Sequence, residues 1–363
     1  MPLTEDRRAL HRIPELDRCL PQTMAYLRAA LEPMRCTLSS PIESSLCAYF
    51  DFGAQTTIAF RSDADALPIA EATGAEFASQ HPGCMHACGH DGHMAMLLEL
   101  ARRLDKMEEA PHNVLLLFQP GEENPGGAEA LCRTGVLERC CVKAVFGLHL
   151  WPGLPKGVIY SRCKEMMARS SEVNVDIYGK SAHIAKASEG IDAVAAGVEF
   201  YRRATEMEGA LPDSIFRLLK FGVFKGGTVR NALARHTRME GSLRAFQDEV
   251  FGSLRDGLYR IAADLEQEMG CRIEITMSTG YPAVMNPEAL YRRVQEAASF
   301  RELAEPNMAS EDFSFYQKHT QAMFFFLGIG DTPALHSVNF DFDETVLSKG
   351  ADFLETLARE VKL

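Results

Sequence analysis

The densest chemistry in the sequence lies in His86-Ala87-Cys88-Gly89-His90-Asp91-Gly92-His93, which packs three imidazoles, a thiol and a carboxylate into one short stretch. Imidazole nitrogen and thiolate sulfur bind borderline-soft divalent metals, and ligands two residues apart converge where the backbone turns tightly, as Gly89 permits. The plain alternative is a polar helix-capping loop with a core cysteine and surface histidines. Glu122-Glu123 forms a second group, directly after the apolar run through Phe118 and the turn Gln119-Pro120-Gly121. Adjacent side chains diverge, so such a pair can divide its duties, one carboxylate holding a metal and the other facing a substrate; alternatively it is a solvated acidic loop. His149 closes the run Phe146-Gly147-Leu148-His149-Leu150, and His336 lies in Ala334-Leu335-His336-Ser337. Either histidine alone reads as a satisfied core residue. Taken with the Cys-His cluster and the Glu pair, they point to a metal centre.

Residues so far apart in the chain need a scaffold that gathers strand ends. Thr4 to Pro33 carries apolar positions at helical spacing, broken by Pro14 and Pro21, and predicts two short helices. Ser45 to Phe50 and Thr56 to Phe60 read as the strands of a hairpin around Asp51-Phe52-Gly53, the second running into Arg61-Ser62-Asp63-Ala64-Asp65. Met94 to Met107 reads as a helix, and Asn113 to Gln119, Val142 to Leu150 and Ala322 to Leu327 as strongly apolar strands. Strands alternating with helices in this way predict an α/β class with a mostly parallel sheet covered by helices on both faces.

Near Ala168 the pattern changes. Ser170 to Tyr178 alternates apolar and polar residues, which marks a half-exposed strand. Helix, strand, glycine turn, strand and a long amphipathic helix from Asp248 to Met269 follow, before α/β character returns after Ile275. The expectation is a smaller α+β domain over residues 168–275, inserted into a discontinuous larger domain formed by residues 1–167 and 276–363.

Composition narrows the function classes. The 363 residues carry a net charge of −12, which argues against nucleic acid as the partner because affinity for phosphate backbones comes from cationic surface. No apolar stretch approaches the roughly 20 residues needed to cross a bilayer, so no membrane partner is expected. The N-terminal residues do not read as a signal peptide, and ten cysteines in a chain able to build a large core read as reduced thiols. A cytoplasmic location is the expectation.

In their order and spacing these segments resemble the M20 metallopeptidase family, and within it the amidohydrolase subfamily of N-acyl amino acid, hippurate and auxin-conjugate hydrolases and N-acetyldiaminopimelate deacetylases. The resemblance rests on Leu10 to Leu16, Arg61 to Ile69, His86 to His93, Phe118 to Glu123, Gly147-Leu148-His149, Ser310-Glu311-Asp312-Phe313 and Leu335-His336-Ser337. It implies two divalent metal ions per subunit, Mn²⁺ or Zn²⁺, with ligands matching Cys88, His90, Glu123, His149 and His336 and a general base matching Glu122. It also implies that the inserted domain is a lid or dimerisation domain of a homodimer. His183, in Gly179-Lys180-Ser181-Ala182-His183, matches a histidine that the family places in the partner subunit's active site. Asn231 matches a lid asparagine near the substrate and Arg244 is a candidate for carboxylate contact; Asp65 and Asp91, close to the ligand segments, are candidates to orient ligand imidazoles. Departures at Gly121, Asn124 and Ala187 bear on substrate identity rather than reaction class.

The reaction so implied is hydrolysis of the amide bond of a small N-acyl amino acid, with N-acetyldiaminopimelate deacetylation or dipeptide cleavage as variants. Two rivals remain from the residues themselves. Cys88 could be a nucleophile with His90 or His93 as its base, or the protein could bind an N-acyl ligand without turning it over.

Overall fold

Asn113–Gln119 and Gln321–Gly328 are buried along almost their whole length, and both are interior strands of an eight-stranded sheet in the computed structural model, which describes residues 2–363. In spatial order the sheet runs Thr37–Ser39, Leu46–Phe50, Asn113–Gln119, Thr57–Asp63, Val142–Trp151, Gln321–Gly328, Ile159–Ser161 and Arg301–Glu302. The four strands from Asn113–Gln119 to Gln321–Gly328 are parallel to one another, and antiparallel pairs lie toward the margins.

Alternation along each strand feeds two cores. Met323, Phe325 and Leu327 join a cluster that includes Leu97, Leu98 and Leu104 of the helix His90–Asp105 and Leu354 and Leu357 of the helix Val346–Glu360. Phe324 turns the other way and packs on Phe313 of the turn Asp312–Lys318, ring centroids 4.9 Å apart. The sheet is therefore covered on both faces, as an apolar parallel sheet requires.

The expected hairpin is not formed. Leu46–Phe50 and Thr57–Asp63 are both strands, but Asn113–Gln119 lies between them, antiparallel to the first and parallel to the second. The Asn113 side chain explains the insertion: its Oδ1 accepts from the N–H groups of Phe52 and Ala54 at 2.8 and 3.1 Å, and its Nδ2 donates to Ala54 O at 2.8 Å. The link between the two strands thus wraps around the start of the third.

The chain forms two compact units. One runs to Met166 and resumes over Met285–Glu305 and Asp312–Leu363; the other comprises Met167–Val284 and Pro306–Glu311. The short return at Pro306–Glu311 carries no change of period that a reading of the sequence could use. In the second unit a four-stranded antiparallel sheet runs Arg272–Met277, Arg169–Tyr178, His236–Ala245 and Arg217–Gly226. Its strand Arg169–Tyr178 buries Val173, Val175 and Ile177, and the helix Asp248–Met269 buries Phe251, Leu254, Leu258, Ile261 and Leu265 at helical spacing before Gly270 ends it with φ 70°. Among the described residues no helix is long and apolar enough to cross a membrane.

Candidate metal centre

Three parallel strands end side by side, and the donors lie at or just beyond their C-terminal ends, where open α/β sheets bind ligands. Thr57–Asp63 delivers Asp63 and, two residues on, Asp65; Asn113–Gln119 leads into the loop with Glu122 and Glu123; Val142–Trp151 carries His149. The helix expected from Met94 begins at His90, because Gly89 at φ 85° turns the chain directly into it. His90 and His93 thereby share its first turn, on one face.

The geometry gathers donors from every segment. Cys88 Sγ lies 3.5 Å from His149 Nε2, His336 Nε2 lies 3.3 Å from Glu123 Oε1, and His90 Nε2 lies 3.9 Å from that same oxygen and 3.6 Å from Asp63 Oδ2. Cys88, Glu123 and His336 form one group whose ligand atoms lie within 4.8 Å of one another; His90, Glu122 and Glu123 form a second, and Asp63, His90, His93 and His149 a third.

Two backbone carbonyls settle how the imidazoles present themselves. A carbonyl can only accept, so His90 Nδ1, 2.8 Å from Asp65 O, and His149 Nδ1, 2.7 Å from Leu150 O, must carry the proton. Both rings then turn an Nε2 lone pair inward, the arrangement that metal-binding histidines use. His90 Nε2 is buried without a hydrogen-bond partner, a costly state for a polar atom unless something binds there. Soft sulfur, imidazole nitrogen and carboxylate oxygen in this grouping fit divalent cations of the Zn²⁺ and Mn²⁺ type.

Electrostatics agree. Burial, then the charges of Glu123, Glu122 and Asp63, push the Cys88 thiol well above its ordinary range. This is the reverse of the lowered pKa that activates a cysteine nucleophile. Burial lowers His90 and lowers His149 further, keeping both neutral. Burial would raise Glu123, but its hydrogen bond to His336 and the charges of His90 and His336 bring it below the usual carboxylate value. That hydrogen bond in turn raises His336.

Of the residues expected to orient imidazoles, Asp65 does so through its backbone oxygen, while its carboxylate accepts from the N–H groups of Glu122 and Glu123 at 2.9 and 3.0 Å. Burial holds its carboxyl well above the usual range, against the pull of those two N–H groups. Asp91 is different. Its Oδ2 accepts from Arg7 Nε at 2.8 Å and lies 2.7 Å from His11 Nδ1, so it orients a histidine outside the expected ligand set. Asp91 follows His90 on the helix, and the side chain of the next residue leaves on a different face.

Sequence reasoning left Asp63 out of the site and considered His93 only as the base of the cysteine-nucleophile reading. His93 Nδ1 meets Asp63 Oδ1 at 2.6 Å and its Nε2 accepts from Leu150 N at 2.9 Å, so both nitrogens are committed and His93 braces the strand end beside His149. The i, i+3 spacing of His90 and His93, once a helix start at Gly89 is recognised, was the available signal.

His183, Asn231 and Arg244 all belong to the second unit. His183 forms an isolated bridge with Ala232, and Ile184 N donates to Asn231 O at 3.0 Å, so the first two are neighbours. Arg244 is half-buried, its Nη1 donating to Met308 O at 2.6 Å and its Nε to Ser242 Oγ at 3.2 Å.

Residues 59–360 match the sequence profile described as peptidase family M20/M25/M40. An uncharacterized hydrolase of Staphylococcus aureus (strain USA300) is 31% identical over 375 residues, spanning 99% of this chain and 98% of its own. A solved structure described as an aminohydrolase from methicillin-resistant Staphylococcus aureus superposes with a TM-score of 0.90 at 29% identity, covering 98% of this chain and 96% of that one. The Bacillus subtilis YXEP protein, a dinuclear metal-binding peptidase of the M20 family, gives a TM-score of 0.84 at 29% identity with the same coverage.

Proposed function

Because the chain belongs to peptidase family M20/M25/M40, and so is a metallohydrolase of amide or peptide bonds, we propose that it releases a small acyl group, acetyl foremost, from N-acyl amino acids. Two divalent ions, held by Cys88, His90, Glu123, His149 and His336, are part of this reading. Its main support is that Glu123 belongs both to the group with Cys88 and His336 and to the group with Glu122 and His90, whose inward Nε2 has no hydrogen-bond partner. When bound, such ions supply Lewis-acid polarisation of the carbonyl and acidify a water toward neutral pH.

The chain's own residues do the rest. Glu122, 8% exposed and held through its backbone N–H by Asp65, takes the proton of the attacking water and returns it to the departing amine. No protein nucleophile is needed, and the raised Cys88 thiol speaks against one. Asn231 and Arg244 contact the substrate, Arg244 being suited to a carboxylate.

A homodimer through the second unit belongs to the same reading. Arg217–Gly226 is the last strand of its sheet, and among the described residues nothing pairs with its outer edge. Val198, Tyr201 and Phe224 of that unit are exposed, 56%, 44% and 42%. A second copy of the chain would cover such an apolar edge, and His183 would serve the partner's site by donating to the oxyanion.

The test is free-amine release from N-acetyl, N-benzoyl and long-chain acyl amino acids, N-acetyldiaminopimelate and dipeptides. Chelator-stripped protein is assayed with and without Mn²⁺ or Zn²⁺. Metal-restored hydrolysis of the small acyl members is the expected result. Release confined to dipeptides would overturn the acyl assignment, and no turnover with metal bound would turn the reading toward ligand binding.

A further inference from the structure

We propose that Asp312 is a positioning residue for the metal centre: it sets the loop that carries Glu122 and Glu123 and ties that loop to the histidine side of the donor set. This rests on the ligand and base assignments given above to those two glutamates.

The loop leaves the strand Asn113–Gln119 and closes on itself. Gly126 N donates to Gly121 O at 2.9 Å, and Gly127 passes so near the other limb that a Cβ on it would stand 1.7 Å from Pro120 O. Two buried carboxylates hold this closed loop. Asp65 grips the N–H groups of Glu122 and Glu123, and Asp312 Oδ2 accepts from Gly127 N and Ala128 N, each at 2.9 Å. Glu122 and Glu123 therefore sit between two anchors, neither of which is a ligand in the set proposed.

Asp312 is also joined to the strand end from which the loop departs. Gln119 Nε2 donates to its two oxygens at 2.8 and 3.0 Å, while Gln119 Oε1 accepts from Tyr316 Oη and Arg61 Nε, both at 2.9 Å. Arg61 then bridges the two sides of the centre. Its Nη2 donates to Asp312 Oδ1 at 2.7 Å and its Nη1 to Asp63 Oδ2 at 2.9 Å, and Asp63 holds His93, which braces Leu150 next to His149. One guanidinium thus fixes the glutamate loop relative to the histidine strand.

Energetics favour a geometric role over simple adhesion. Asp312 is fully buried, as nearly are Arg61, Asp63 and Gln119. Burying such charges costs desolvation, and apolar replacements are often as stable or more so. What a fully connected polar network offers instead is directional restraint. Catalytic and ligating carboxylates need that restraint, since a misplacement near 1 Å is expensive.

Asp312→Asn tests this in the full chain. Asparagine keeps the size but leaves a single acceptor oxygen for Arg61, Gly127, Ala128 and Gln119. Mn²⁺ affinity, followed by competition with a chelating dye, should weaken about 10- to 100-fold, the usual cost of losing a partner that orients ligands. kcat should fall with little change in KM. In a Glu123→Gln background the same substitution should add nothing, because the ligand it positions is gone.

A folded Asp312→Asn protein with lowered Tm and wild-type Mn²⁺ affinity would reduce Asp312 to a helix cap and overturn the inference, as would additive losses in the double variant. Wild-type affinity in Glu123→Gln alone would bring down the ligand assignment, and this inference with it. Should Asp312→Asn not fold, Gly127→Ala displaces the same loop end with the carboxylate intact; it must weaken Mn²⁺ binding as well, and unchanged affinity there counts equally against the idea.

Discussion

His336 Nε2 reaches Glu123 Oε1 at 3.3 Å from a backbone held at φ 65°, a left-handed conformation that side-chain-bearing residues seldom adopt. Such strain persists where a donor must point one way. Replacing His336 by Gly and by Ala separates the donor from the backbone. Both variants should lose Mn²⁺ affinity, but metal-free His336→Gly should be more stable than His336→Ala by about 1 kcal/mol, since only Gly enters this region freely. Equal stabilities in urea unfolding would show that the local backbone carries no strain.

Glu122 and Glu123 should part company when mutated. Glu122→Gln is expected to keep Mn²⁺ and lose kcat by about 10²- to 10⁴-fold, the range for a missing general base. Glu123→Gln should lose Mn²⁺ as well. Mixing inactive Glu122→Gln with inactive His183→Ala should restore part of the activity through heterodimers that hold one intact site; failure after verified subunit exchange would confine His183 to its own chain.

The only tryptophan offers a direct view of the centre. Trp151 stacks on Phe326 with ring centroids 4.1 Å apart and stands edge-on to His149 at 5.5 Å. Titrating metal-free protein with Co²⁺ or Cu²⁺ should quench Trp151 fluorescence strongly, whereas Zn²⁺, without unpaired electrons, should shift it only slightly. His149→Ala should weaken the quenching in proportion to metal loss. Emission indifferent to all three ions would argue that nothing binds beside this strand end.

Thiol reactivity should follow burial. Burial pushes Cys47 and Cys132 up to about 12, and Cys88 is also raised. Cys19 and Cys141 are exposed. Brief iodoacetamide treatment of native protein at pH 7.5, read by mass spectrometry, should label Cys19 and Cys141 and spare Cys47, Cys88 and Cys132. Rapid labelling of Cys88 in metal-free protein would revive the cysteine-nucleophile reading.

His11 gives a pH dependence of stability. Burial lowers its pKa, but Asp91 at 2.7 Å, with help from Glu71, outweighs this and the net shift is upward. A group whose pKa is raised on folding stabilises fully below its unfolded value near 6.5 and loses that contribution as pH rises through the folded value. The stability gap between wild type and His11→Gln should therefore be widest in mildly acid solution and narrow toward pH 9. A gap that widens with pH would reverse the sign argued here.

Much of the fold was legible because it is written in local periods. The alternation of Val173, Val175 and Ile177 marked a different kind of sheet, and the spacing of Phe251, Leu254, Leu258, Ile261 and Leu265 marked its long helix. Strand order was not. The hairpin reading of Leu46–Phe50 and Thr57–Asp63 failed because a short link is compatible with pairing, and only Asn113, more than fifty residues further along the chain, shows that the link encircles a third strand.

The sequence by itself determined which residue types could do the chemistry: sulfur, imidazole and carboxylate donors stand at the ends of apolar strands, and such donors have few other reasons to be there. What only the tertiary structure decided is which nitrogen each histidine offers and who holds the carboxylates. Those follow from contacts with Asp65 O, Leu150 O, Asp63 and Asp312. A hydrogen bond depends on distance and direction in space, and separation along the chain carries neither: Asp91 adjoins His90 yet serves His11, while Asp312, far from Gly127 in sequence, holds it at 2.9 Å.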